Sequence, residues 1–187
     1  NVTAFQPGDE VIADLSEHGF GGFAEYVCVP ATALVSKPAT VPFEAAAAVP
    51  TSAVAALQAL RDAGRLQAGE HVLINGASGG VGTFAVQIAK HLGAEVTGVC
   101  STAKVELVRS IGADHVIDYT ETDITTAGVE YDLILDTAGS HSMSAYRRAL
   151  TPTGRYVMVG GPTGRFLRAL ILGPVLSMTG NRKFGAF

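Results

Sequence analysis

Two cysteines in 187 residues, Cys28 and Cys100, are too few for a disulfide framework. Both lie in strand-like runs, where a small buried thiol is the expected state, and a reducing cytoplasm is the expected setting. The five histidines, His18, His71, His91, His115 and His141, form no H-x-x-x-H pair, and no C-x-x-C accompanies them. No metal site is therefore expected. The chain also lacks a G-x-S-x-G elbow and any Gly-Lys-Ser/Thr after a glycine turn, which argues against a hydrolase nucleophile and a P-loop. Charged residues make up only 16%, the net charge is -4, and no basic block occurs, so nucleic acid is not an expected partner. The most apolar stretch, residues 45–60, is broken by Pro50 and falls short of the ~18–20 residues a membrane helix needs. No membrane span is expected, and no signal peptide is visible.

What is present is a 48% hydrophobic chain with a glycine-rich junction, Asn75-Gly76-Ala77-Ser78-Gly79-Gly80-Val81-Gly82. Val72, Leu73 and Ile74 precede it as a short run suited to a strand buried on both faces. Val81, Phe84, Ala85, Ile88, Ala89 and Leu92 follow at helical spacing, with Gly93 placed for a left-handed cap. A strand that turns on glycine into a helix is a phosphate cradle: Gly79 keeps side chains away from a pyrophosphate and Gly82 lets the helix approach the strand. Ala77 holds the place of the usual first glycine. Glycine turns also close βα loops that bind nothing. Here the next strand, 95–100, arrives within the ~30 residues of one βαβ unit, which favours the binding reading.

Organisation along the chain supports this. Residues 1–43 carry strand-sized runs at 10–13 and 23–29 between glycine-rich turns and no helical period. Residues 44–63 form an alanine-rich connecting helix with a break at Pro50. From 64 to 187, strands at 71–75, 95–100, 115–118, 131–136 and 155–160 alternate with helices at 82–92, 103–111 and 143–150, and a sixth strand starts near Arg182. The expected fold is α/β, a Rossmann-type doubly wound parallel sheet preceded by a β piece. Asn1 is not Met and the chain stops inside a strand-like run, so a fragment of a longer protein is expected.

The tip of the second strand of this sheet receives the adenosine ribose, where a carboxylate selects NAD. None stands there; Ser101, Thr102 and Lys104 offer two hydroxyls and a cation, which suits the 2′-phosphate of NADP(H) over NAD(H). Equally, Ser101 reads as a helix cap and Lys104 as a solvated helix residue.

Pro7-Gly8-Asp9-Glu10-Val11, Gly21-Gly22-Phe23-Ala24-Glu25-Tyr26-Val27, the glycine junction and Gly112-Ala113-Asp114-His115-Val116-Ile117-Asp118-Tyr119 together resemble the medium-chain dehydrogenase/reductase superfamily. Within it, the chain looks most like the zinc-independent quinone oxidoreductase, or zeta-crystallin-like, branch. The resemblance implies that residues 1–43 are part of a GroES-like β-barrel substrate domain. It puts Thr51 near the nicotinamide, Ser78, Gly79, Gly80, Val81 and Gly82 on the pyrophosphate, and Ser101, Thr102 and Lys104 on the ribose phosphate. Tyr119 would lie beside the adenine, and Thr137, Gly160 and Gly161 along the nicotinamide half. Tyr119 also reads as an ordinary strand-end aromatic, and Gly160-Gly161 as an ordinary turn. Zinc-dependent relatives carry a four-cysteine lobe and a catalytic cysteine that have no counterparts here.

The implied activity is NADPH-dependent hydride transfer to a quinone or an α,β-unsaturated carbonyl, with substrate-facing groups upstream of Asn1 and a homodimer in the full-length protein. An enoyl-reductase or alcohol dehydrogenase relative, and a non-catalytic NADP(H)-binding module, stay open. No catalytic acid is assigned.

Overall fold

The computed structural model describes residues 2–125, 128–178 and 180–187. The chain forms two compact units, Asn1–Val54 and Ala55–Phe187.

In the first unit, Val11–Ala13 (β1) pairs antiparallel with Leu34–Ser36 (β2). The strand expected over residues 23–29 is absent. Phe23 is fully exposed there and Tyr26 nearly so, and extended backbone without a partner strand gains no ladder bonds. Cys28, expected to be buried, is exposed on this segment. Lys37 is buried, and its ammonium is surrounded by the Val41 carbonyl at 2.6 Å, the Pro38 carbonyl at 3.1 Å and Glu10 Oε2 at 2.9 Å. Those oxygens replace the water the cation gives up.

Phe43–Gln58 (α1) runs through Pro50 without the expected break. Proline removes one ladder bond, and the alanine-rich flanks, strong helix formers, carry the helix across the gap. Phe43–Ala63 is consequently a 21-residue helical segment of mean hydropathy 1.3, long and apolar enough by length and composition to cross a bilayer, contrary to expectation. Ala56, Ala59 and Leu60 are fully buried, however, in the core of the second unit.

That second unit is built on His71–Asn75 (β3), Glu95–Cys100 (β4), His115–Asp118 (β5), Tyr131–Asp136 (β6), Leu150–Met158 (β7) and Lys183–Ala186 (β8). They form one parallel sheet in the order β5-β4-β3-β6-β7-β8. Gly80–His91 (α2) and Val105–Ser110 (α3) cover one face, where Val72, Ile74, Val96, Leu133 and Leu135 meet Ala85, Val86 and Ala89. Met143–Arg148 (α4) and Thr163–Met178 (α5) cover the other, over Leu73, Ile134, Tyr156 and Met158. Burial on both faces is why the strands read as unbroken apolar runs.

Several boundaries differ from expectation. α2 begins at Gly80, two residues early, because glycine turns directly into the helix. A 3-10 turn, Thr102–Lys104, precedes the shorter α3. β7 begins at Leu150 rather than 155, taking a residue expected in the helix. Its ladder shifts register between Tyr131 and Leu133, and a side chain at Gly154 would stand 2.9 Å from the Tyr131 carbonyl. The sixth strand lies where it was expected, at the sheet edge.

Candidate functional site

Register brings the carboxyl ends of four strands level: Asn75 pairs with Val99 and Asp136, and Cys100 with Asp118. Above them lies a crevice of about 370 Å³ lined by Gly76, Ser78, Ser101, Tyr119, Ser140 and His141, among others. Three of the expected residues, Ser78, Ser101 and Tyr119, therefore share one cavity although they are far apart in sequence.

The glycine junction forms its inner wall. Gly76 adopts φ +85, a conformation that disfavours other residues, and a side chain there would strike the Thr137 hydroxyl. A Cβ at Gly82 would run into the Gly76 carbonyl and stand 2.8 Å from Ala77 Cα, so this glycine sets how closely α2 packs on the turn. Gly79 differs: it is exposed, its backbone is extended, and a Cβ would find only the Gly76 carbonyl at 3.3 Å. As the N-cap of α2 it has no side chain to accept from the helix, so the first amides, those of Gly80, Val81 and Gly82, lack an intrahelical acceptor. Open glycine backbone and uncapped amides at the positive end of a helix dipole fit a diphosphate.

At the tip of β4, Ser101 stands at the N-cap of the 3-10 turn, but its side chain makes no capping bond. The helix-cap alternative for its hydroxyl therefore does not hold, and Ser101 lines the crevice instead. Lys104 is exposed and enters no ion pair among the described residues. Thr102 is exposed, with its hydroxyl 3.0 Å from that of Thr120. Tyr119 is 60% exposed, which leaves its ring available to a flat ligand.

The other expected residues stand apart from the crevice lining. Thr137 spends its hydroxyl on the Asn75 carbonyl at 2.8 Å, fastening β6 to the end of β3. Gly160 and Gly161 pack against the backbone of Thr137, Ala138 and Gly139, where side chains would come within 3.2 Å and 3.1 Å. They support the loop whose Ala138 lines the crevice. Thr51 belongs to the first unit and lines an open cavity of about 620 Å³ there, beside Pro50 and Asp14.

The sequence reading missed a buried polar cluster beneath the crevice. Asp136 is fully buried; its carboxyl oxygens accept from Asn75 Nδ2 at 2.8 Å, the Gly139 amide at 2.7 Å, the Ala138 amide at 3.1 Å and the Tyr156 hydroxyl at 2.8 Å. Asn75 Nδ2 also approaches Tyr146 Oη at 2.9 Å and Ser140 Oγ at 3.0 Å. Burial and the nearby Asp136 push both phenols well above the usual tyrosine range, so they stay protonated and hold the cluster. Burial likewise raises the Cys100 thiol, which remains a neutral wall of the crevice rather than a nucleophile. Two polar residues ending neighbouring strands were the signal available for this cluster. Among the described residues no group of three or more His, Cys, Asp or Glu is arranged to hold a metal ion.

Comparison with known proteins places this site in context. The zinc-binding dehydrogenase family matches residues 80–182, more than half of the chain. The mitochondrial NAD(P)H oxidoreductase RTN4IP1 of Mus musculus is 43% identical over 147 residues, covering 74% of this chain and 37% of that protein. The trans-enoyl reductase pgmF of Aspergillus terreus is 38% identical over 165 residues, covering 85% and 46%. The solved quinone oxidoreductase of Coxiella burnetii superposes on all of this chain and 57% of its own, with a TM-score of 0.87 and 28% identity. The chain thus spans about half the length, or less, of these proteins. With a six-stranded parallel sheet, a glycine turn opening α2 and a family match across that region, the chain belongs to the zinc-binding dehydrogenase family of the medium-chain dehydrogenase/reductase oxidoreductases.

Proposed function

We propose that the protein binds NADPH in the crevice above β3, β4 and β6 and reduces a quinone or an α,β-unsaturated carbonyl without zinc. The observation that carries the reading is the α2 junction: exposed Gly79, three uncapped amides and the Ser78 side chain at the mouth of a cavity. Bound there, a reduced nicotinamide supplies a hydride to an acceptor that is already electrophilic.

The chain's own part is positioning. Gly79, Gly80, Val81, Gly82 and Ser78 take the pyrophosphate, and Tyr119 lies beside the adenine. Ser101 and Lys104 reach the 2′-phosphate. The loop after Asp136, braced by Thr137, Gly160 and Gly161, flanks the nicotinamide half. Thr51 is assigned to the nicotinamide by family resemblance. Because these acceptors need no Lewis acid, orientation at the hydride donor and a hydrogen bond to the carbonyl suffice. No catalytic acid is assigned to the described residues.

An enoyl substrate is the second reading, favoured by the 38% identity to a trans-enoyl reductase. Loss of reduced-nicotinamide absorbance with the full-length protein, measured against simple quinones and against enoyl thioesters, tests both. Turnover of either class with NADPH supports a reductase, and the better acceptor decides between them. Tight NADPH binding with no turnover of any acceptor would make the protein a binding module instead.

A further inference from the structure

β4 ends without a carboxylate, but the neighbouring strand β5 ends in one. Asp118 ends β5 directly beside Cys100. Its Oδ1 accepts from the Thr120 hydroxyl at 2.7 Å and the Thr120 amide at 2.9 Å. A hydroxyl has one proton, so Thr120 Oγ1, having given its own to Asp118, can only accept in its 3.0 Å contact with Thr102. Thr102 is the donor there. The hydroxyl expected to serve a phosphate therefore has lone pairs, not a proton, left for a ligand. The Thr102 and Thr120 groups gathered around Asp118 hold its carboxyl below the usual carboxylate range, which keeps it charged at neutral pH. The open cleft of about 490 Å³ that Asp118 and Thr102 line adds Glu106 and Glu121, and its Arg109 is taken up by Glu106 at 2.7 Å.

We propose that Asp118 is a specificity-determining residue acting against the 2′-phosphate: through Thr120 it commits the Thr102 proton, and its charge opposes a dianion at the β4 tip. The inference rests on the cofactor reading above and deepens it. Discrimination becomes a balance in which Ser101 and Lys104 attract the phosphate, while Asp118 repels it and leaves Thr102 an acceptor suited to a ribose hydroxyl.

Binding of adenosine 2′,5′-bisphosphate and of adenosine 5′-monophosphate tests this without any turnover, with the ratio of their dissociation constants as the readout. Asp118→Asn keeps an oxygen for Thr120 but removes the charge. It is expected to shift the ratio toward the bisphosphate by about threefold, the scale of an exposed charge interaction. Asp118→Ala also frees the Thr102 proton and is expected to reach about tenfold. Adding Thr102→Val to Asp118→Ala should return the ratio to the Asp118→Asn level. An unchanged ratio in both single variants, or equal weakening of both nucleotides, overturns the proposal while leaving the cofactor reading intact. Failure of the unaltered protein to bind either nucleotide overturns both.

Discussion

Gly79 and Gly82 stand three positions apart on one turn and do different work. A methyl group at Gly82 meets backbone that has nowhere to go, whereas at Gly79 it meets one carbonyl at 3.3 Å and then open space. Gly82→Ala is therefore expected to destabilise the fold by about 3 kcal/mol, the upper end of overpacking costs. Gly79→Val is expected to leave the melting temperature nearly unchanged but to abolish the thermal stabilisation that NADPH confers on the unaltered protein. Thermal melts with and without cofactor check both. A Gly79→Val protein that NADPH still stabilises would move the site elsewhere. The close approach at Gly82 was legible because the A-x-G-x-x-G spacing sits between an apolar run and a helical one. The commitment of Thr102 was not legible, since Thr120 lies 18 residues away and no periodicity links them.

Elements join through groups that only the assembled sheet brings together. Asp136 and Asn75 are 61 residues apart, yet adjacent at the ends of β6 and β3. Their pairing was not read from the sequence, because a polar residue at a strand end looks like the start of a loop. Asp136→Ala leaves two backbone amides, an amide side chain and a phenol without their acceptor in a buried site, and is expected to cost at least about 3 kcal/mol. Urea unfolding measures this.

At the opposite end of β3, His71 bonds to Thr97 Oγ1 at 2.8 Å and packs edge-on against Tyr131. Burial, outweighing the pull of Glu95, lowers its pKa from 6.5. Below about pH 6.5 the unfolded chain takes a proton that the folded imidazole resists, so stability falls as pH drops through that window toward the folded value. His71→Gln is expected to lessen the loss of urea midpoint between about pH 7.5 and 5.5. An equal loss in the variant would place the titrating group elsewhere.

The same logic of pairing explains which elements the sequence disclosed. β3, α2 and β4 follow from local apolar patterns; both strands lie where expected and α2 starts two residues early. Segment 23–29 has the length and composition of a strand but no partner among the described residues, and β7 starts early because its ladder to β6 shifts register around Leu150 and Gly154. Neither fact is local.

At the scale of the whole molecule, β8 has no partner strand on its outer side among the described residues. Along α5, Leu167, Leu170, Ile171, Val175 and Met178 are exposed. An open strand edge and an apolar helix invite a second copy. The full-length protein is expected to be a homodimer, and sedimentation showing a monomer at micromolar concentration would contradict this.

Calorimetric titration of the chain with NADPH and with NADH tests most directly whether the crevice holds a nicotinamide dinucleotide with its phosphates on α2 and the β4 tip. One-to-one binding of both is expected, tighter for NADPH by about tenfold, the scale of one charge-assisted bond from Lys104. Equal dissociation constants would remove the phosphate assignment, and the absence of saturable binding of either cofactor would contradict the account as a whole.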